Sequence, residues 1–433
     1  MSIAVICRRV SVAVLFLSGL WLMVNEAQAE NWPQWRGPKN DGISSEKGVP
    51  FKWSKTENIA WRLPLPGSAG ATPVVWGEHI FLTSGEGENL ILMCVSTAGK
   101  ELWRKTLGGG NRKARGDEGN LASPSPSTDG KYVWAFFGSG DLACLDFTGK
   151  EIWKANLQER YGKFNIQFGM SSTPVLYGDK LYLQLIHGDG NPKTREARVI
   201  ALDKTTGAEV WKQPRPSEAR AENEHSYASP VMYHDEQQTY LLTHGADYII
   251  AHDLSDGHEL WRSGGLQRPD SYDPTLRLVA SPVAVPGLII APSAKGGSVL
   301  ALRPDGKGDI TESKEFRLWT FSVTPDVPSP LIYDGLVYLC RENGNLICLD
   351  AKTGEKYYEN RTHAHRHRAS PVLCDGKIYL TARDGTVSVV KTGKEFQLIE
   401  SNKIDEDVSA SPAISGGRIY LRTFDALIAV GGK

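Results

Sequence analysis

Ala201-Leu202-Asp203-Lys204-Thr205-Thr206-Gly207-Ala208-Glu209-Val210-Trp211 reads as the end of a buried strand, a tight turn and a second strand closing on a tryptophan. Ala201 and Leu202 suit a strand covered on both faces. Asp203 can fold its carboxylate onto backbone N–H groups two residues on, and Gly207 accepts the left-handed conformation that ends such a turn. Trp211 then offers a flat ring able to bury about 150–250 Å².

The unit recurs. Asp146 to Trp153 (DFTGKEIW), Asp253 to Trp261 (DLSDGHELW) and Asp350 to Tyr358 (DAKTGEKYY) repeat it closely, Ser96 to Trp103 and Lys391 to Phe396 more loosely. The turn from Arg303 to Gly306 before Leu318-Trp319 is an expanded copy. A second element alternates with the first: Ser or Thr, then Pro, then an apolar run. Its prolines are Pro73, Pro126, Pro174, Pro230, Pro282, Pro330, Pro371 and Pro412, separated by 53, 48, 56, 52, 48, 41 and 41 residues. Two motifs keeping one order through eight cycles at this period predict an all-β fold, an eight-bladed β-propeller of four-stranded antiparallel blades. Glu57 to Arg62 looks like the closing strand of a blade that lacks inner strands, while Ser411 to Val430 supplies three strands and stops. Ile59 to Leu63 is therefore expected to complete the last blade and leave no free sheet edge.

The chain has 433 residues, 40% hydrophobic and 23% charged, with a formal net charge of −1. That balance argues against nucleic acid or an anionic membrane as partner, since both call for a basic excess. Arg8 and Arg9, the apolar run Val10 to Val24 and Ala27-Gln28-Ala29 read as a cleavable export leader over 1–29. The expected organisation is this leader, a Trp/Pro-rich segment over 30–56 packed on the propeller, and the propeller over 57–433, with no span in the mature chain and a monomeric, periplasmic or secreted product. Cys94, Cys144 and Cys348 occupy the slot that Ala201 fills, so they read as small buried residues rather than disulfide partners. Cys340 and Cys348 fall off-pair on neighbouring strands. Trp61, Trp103, Trp153, Trp211, Trp261 and Trp319 read as packing residues wedged between blades.

The uniform Asp-x-x-Thr-Gly turns fall on one face. The variable segments before each Ser/Thr-Pro, with the loops between second and third strands, fall on the other, where function usually sits. These segments are Arg112 to Glu118, Asn165 to Gln167, Glu222 to Tyr227, Asp273 to Arg277, Asp326, His363 to Arg368 and Asp405 to Asp407. Candidate residues of a binding face round the channel mouth are His187, His225, Tyr227, His244, Arg277, Lys295, Arg341, His365, Arg366, Arg368, Arg383 and Arg422, with Asp189 beside them. In His363-Ala364-His365-Arg366-His367-Arg368, strand alternation would put three imidazoles on one face and two guanidinia on the other. His363, His365 and His367 are thus candidate metal ligands, although i, i+2 spacing of about 6.5–7 Å is wide for one ion and the arginines oppose it. Solvated loops round a water-filled channel are the plain alternative. The chain carries no Gly-x-Ser-x-Gly, His-Glu-x-x-His or phosphate-loop motif.

The run of small residue, Asp, Thr-Gly-Lys/Glu and Trp, alternating with Ser/Thr-Pro strands, resembles the pyrroloquinoline-quinone-like (PQQ-like) repeat family. BamB-type outer-membrane assembly propellers are similar in size, and Trp32-Pro33-Gln34-Trp35-Arg36-Gly37-Pro38 resembles the opening of secreted planctomycete-type repeat proteins. The resemblance implies the propeller fold, and it spans dehydrogenases, assembly scaffolds and kinase-fused sensors. The quinone enzymes carry two adjacent cysteines, and none of Cys94, Cys144, Cys340, Cys348 and Cys374 adjoins another. The expectation is a non-enzymatic exported scaffold binding an envelope protein, a peptide or a polar ligand, without a resident cofactor. The alternatives are a quinone- or metal-dependent oxidoreductase using PQQ with Ca²⁺, and a sensor-type propeller.

Overall fold

The structure, a computed structural model, describes residues 29–114, 119–191, 196–267 and 272–432. The leader therefore lies outside the described residues, apart from Ala29. Eight sheets of antiparallel strands surround a central channel, six with four strands and two with a fifth short strand added. Blade 3 shows the common plan, with strands Val175–Tyr177, Lys180–Leu185, Arg198–Asp203 and Glu209–Pro214 from channel to rim. The ring closes as expected: Ile59–Pro64 pairs antiparallel with Ala426–Val430, with Ile59 opposite Val430 and Leu63 opposite Leu427.

Every outermost strand carries a bulge at the same place. In blade 3 the register jumps so that Ala201 faces Trp211 and Leu202 faces Glu209, leaving Val210 without a partner. The same jump sets Trp103 opposite Cys94, Trp153 opposite Cys144 and Trp319 opposite Ala301. An extra residue twists the strand and re-aims the next side chain, here the tryptophan, across a small partner and onto the neighbouring blade. Opposite each tryptophan the slot holds Ala or Cys; in blade 7, where Glu400 replaces the indole, it holds Val389. All five described cysteines are free and buried. Burial pushes the thiols of Cys94, Cys144, Cys340 and Cys348 up to about 12, so none is reactive.

Each indole lies on the glycine of the next blade's turn. A Cβ added to Gly207 would sit 2.6 Å from the Trp153 ring, and one on Gly354 2.7 Å from Trp319. The indole N–H groups of Trp103, Trp153 and Trp319 donate to Phe147 O, Lys204 O and Ala351 O at 2.9, 2.9 and 3.0 Å. Trp211, Trp261 and Trp319 are fully enclosed, while Trp61, Trp103 and Trp153 are half-buried.

The segment over 30–56 threads across the base of the channel. Trp32 pairs with Val75 of blade 1, Pro33 O accepts from Thr128 N of blade 2, and Gln34 Oε1 accepts from Leu176 N of blade 3. Ile43–Ser44 then adds a parallel strand to the inner edge of blade 7. Trp53 stacks on Tyr379 with ring centres 6.3 Å apart.

Candidate functional site: a blind central channel

The hydroxyl residues before the eight prolines are more than strand starts. Thr72 N donates to Ser125 Oγ of the next blade at 2.9 Å, and Ser125 N to Thr173 Oγ1 at 3.1 Å. The chain of bonds continues through Thr173 to Ser229, Ser229 to Ser281, Ser281 to Ser329, Ser329 to Ser370 and Ser370 to Ser411, at 2.8–3.0 Å. A proline follows each of these residues and has no N–H, so the preceding amide is the last donor available at the channel wall. Giving it to the next blade's hydroxyl locks the innermost strands together. The repeated Ser/Thr-Pro was visible in the sequence; its pairing across blades was not, because it links residues about 50 apart.

Below this ring the channel is plugged. Arg36 is 2% exposed and donates to Pro330 O, Pro371 O and Asp41 O at 2.7, 3.1 and 2.9 Å. Burial pulls its pKa down to about 10, so it stays charged at neutral pH. Gly42, at φ +84°, permits the chain to return past it, since a Cβ there would lie 2.7 Å from the guanidinium. Trp35 beside it forms part of the floor of a cavity of about 500 Å³.

The ring hydroxyls, Phe168, Tyr227, Arg277, Lys295, Asp326, Glu342, Arg366 and Arg368 line the walls. A second recess of about 330 Å³ shares Lys295, Asp326, Glu342 and Arg366 and adds Arg341. Asp326 sits at φ +75°, a strained conformation of the kind concentrated at functional sites. Desolvation, then a hydrogen bond and the charge of Glu342, raise its carboxyl to about 6. Desolvation also pushes on Glu342, but the hydrogen bond from Asp326 and the charges of Arg368 and Lys295 outweigh it and hold that group low. Arg368 Nη1 lies 3.1 Å from Glu342 Oε1, and Lys295 Nζ 3.9 Å from Oε2.

Of the twelve candidate mouth residues, Tyr227, Arg277, Lys295, Arg366 and Arg368 line the cavity and Arg341 the recess. His365 is exposed near them. The other five point elsewhere. His244 is wholly buried and bonds Pro292 O at 2.7 Å, and burial drives its pKa down to about 3. Arg422 reaches Gly67 O at 3.3 Å, and Arg383 covers Phe424 at 4.2 Å. These ends of second strands pack between blades, which corrects their placement at the mouth. His187 is buried against Glu196 at 3.2 Å, and His225 bonds Gly188 O at 3.1 Å.

The three-histidine face is also corrected. Residues 363–368 turn instead of running as a strand: His363 pairs with Asp384 at 2.9 Å, His365 is exposed, and His367 is buried with Nδ1 on His365 O at 3.0 Å. Among the described residues, three metal-capable side chains converge at Asp253, Asp256 and His258, on an outer turn of blade 4. Glu342 and Phe168 went unforeseen as lining residues.

A closed ring of eight blades, six of them docked through a tryptophan, around a ligand-sized channel defines a PQQ-like repeat propeller. A family model described as outer membrane protein assembly factor BamB matches residues 43–190 and 138–397, and the chain belongs to that family. A polyvinylalcohol dehydrogenase from Pseudomonas sp is 21% identical over 348 residues, 68% of this chain and 52% of that protein, so the chain spans about half its length. BamB from Moraxella catarrhalis is 17% identical, with a TM-score of 0.60 over 87% of this chain and 97% of that one. A europium-containing methanol dehydrogenase is 13% identical, with a TM-score of 0.69 over 92% and 90%. The quinohemoprotein alcohol dehydrogenase of Comamonas testosteroni is 14% identical, with a TM-score of 0.66 over 93% and 81%. At these identities the structural likeness establishes the fold alone. Among the described residues, no helix is long and apolar enough to cross a membrane.

Proposed function

We propose that this chain is a non-enzymatic, exported propeller that serves as a binding and assembly scaffold in the cell envelope, receiving its ligand or partner at the open end of the channel. One observation carries the reading: Trp35 and Arg36 shut one end, while loops of several blades bring Arg277, Lys295, Asp326, Glu342, Arg366 and Arg368 to the other. Concave pockets of this size with convergent polar groups are the usual place for a ligand. The assembly-factor family supports a scaffold role, and the leader expected over 1–29 supports export.

The dehydrogenase neighbours favour a second reading, in which a quinone lies flat on Trp35. The residues present do not fit a quinone held by a divalent cation. Such a group is clamped on both faces and polarised from its edge, and the protein's share of the chemistry is that positioning. None of the described cysteines lines the cavity. Glu342 already pairs with Arg368 and lies 3.9 Å from Lys295, so a divalent ion would have to displace existing cationic partners.

A photo-crosslinking residue in place of exposed His365, compared with one at exposed Thr353 on the opposite face, tests the scaffold reading in the producing cell. A discrete adduct from the first position alone is expected. Equal labelling at both, or dye-linked alcohol oxidation by the purified protein after adding PQQ and Ca²⁺, would sink it.

A further inference from the structure

We propose that what enters the cavity presents an oxyanion, a carboxylate or phosphate, seated over the hydroxyl ring and held by Arg277. This rests on the reading of the channel as a binding site and adds the chemistry of its ligand.

The first observation is the ring. In seven successive steps a hydroxyl oxygen accepts a backbone N–H from the preceding blade. A hydroxyl that has accepted still has its proton to give. Ring members line the cavity and are buried, from Thr72 and Ser329 at 2% to Ser125 and Ser229 at 5% exposed. The wall is thus rich in donors converging on one axis.

The second observation is Arg277. Its guanidinium lies over the Phe168 ring, 5.3 Å from the centroid, which fixes its plane. Its Nε is buried and makes no hydrogen bond, and no carboxylate among the described residues pairs with it. The neighbouring cations differ: Arg368 and Lys295 both have Glu342. A partly desolvated cation without a counter-ion is unfavourable until an anion arrives. An oxyanion offers only acceptors, which is what hydroxyl protons and a guanidinium fork both require. A neutral polyol would leave Arg277 uncompensated, and a cation would meet four positive side chains against two carboxyls.

Calorimetry at low ionic strength, with citrate and inorganic phosphate as probes, tests the proposal on the whole mature chain. Wild type should bind at least one probe. Arg277→Met should weaken binding about tenfold or more, the usual scale of a charged hydrogen bond, without changing the melting curve. Arg277→Lys should recover part of the loss, and Ser281→Ala should weaken binding by a smaller factor. Selenate soaked into crystals should give its anomalous signal between the ring and Arg277. No binding by wild type, equal binding by Arg277→Met, or selenate only on the exterior (an adventitious ion only) would overturn it. Crosslinking from position 365 would survive that outcome, so failure of the oxyanion and failure of the scaffold reading are distinguishable.

Discussion

The indole of Trp211 lies directly on Gly257 of the next blade. A Cβ there would come within 2.5 Å of the ring, and the indole N–H donates to Leu254 O at 3.0 Å. Trp211→Ala should therefore cost about 3–5 kcal/mol, the range for large core aromatics. Gly257→Ala should cost about 1–3 kcal/mol, because φ is +77° there and the ring leaves no room. Urea unfolding of both variants checks this. A loss below about 1 kcal/mol for Trp211→Ala would show that the indole is not a packing device.

Arg36 is the keystone of the plug. Arg36→Met keeps much of the volume but strips donors from three carbonyls, two of them in different blades. The loss should be about 3 kcal/mol, since each buried acceptor left unpaired costs about 1–3 kcal/mol. Protease nicking near Asp41 should also quicken. A variant as stable and as resistant as wild type would contradict the keystone role.

The hydroxyl ring should be felt one bond at a time. Ser281→Ala leaves Ser229 N–H without its acceptor, now 2.8 Å away, and should lower stability by about 1 kcal/mol. Amide hydrogen exchange at Ser229 should accelerate, with little change in blades on the far side.

Asp326 gives a pH signature. Its carboxyl is raised to about 6 by burial first and by Glu342 second. The folded chain then holds a proton that the unfolded chain has released, so stability falls as pH rises from about 4 to about 6. Asp326→Asn removes the penalty. The variant should exceed wild type by about 1–3 kcal/mol above pH 6 and converge with it near pH 4. Chemical denaturation across that window reads the difference, and parallel curves would refute it.

The fold was legible because its repeats are local. Asp203 to Trp211 carries turn, glycine and indole within one stretch, and six variants restate it. The bulge that aims Trp211 was not, since it appears only once Ala201 and Trp211 are paired. The site was half legible. Alternation and loop order placed Arg277 and Arg368 at the mouth, but could not tell channel-lining ends of strands from ends wedged between blades. His244 and Arg422 belong to the second kind, and carbonyls of neighbouring blades decide it. Trp35 was seen as an aromatic in a rigid segment; that the segment crosses the channel depends on Gln34 and Arg36 finding partners in blades 3, 6 and 7.

The most direct test of the channel as a binding site is native mass spectrometry of the protein purified from its producing cell, beside a Ser281→Phe variant whose ring would fill the cavity. Wild type should carry a non-covalent adduct of small-molecule or peptide mass that the variant lacks. Wild type free of any adduct, or the same adduct on both equally folded proteins, would contradict it.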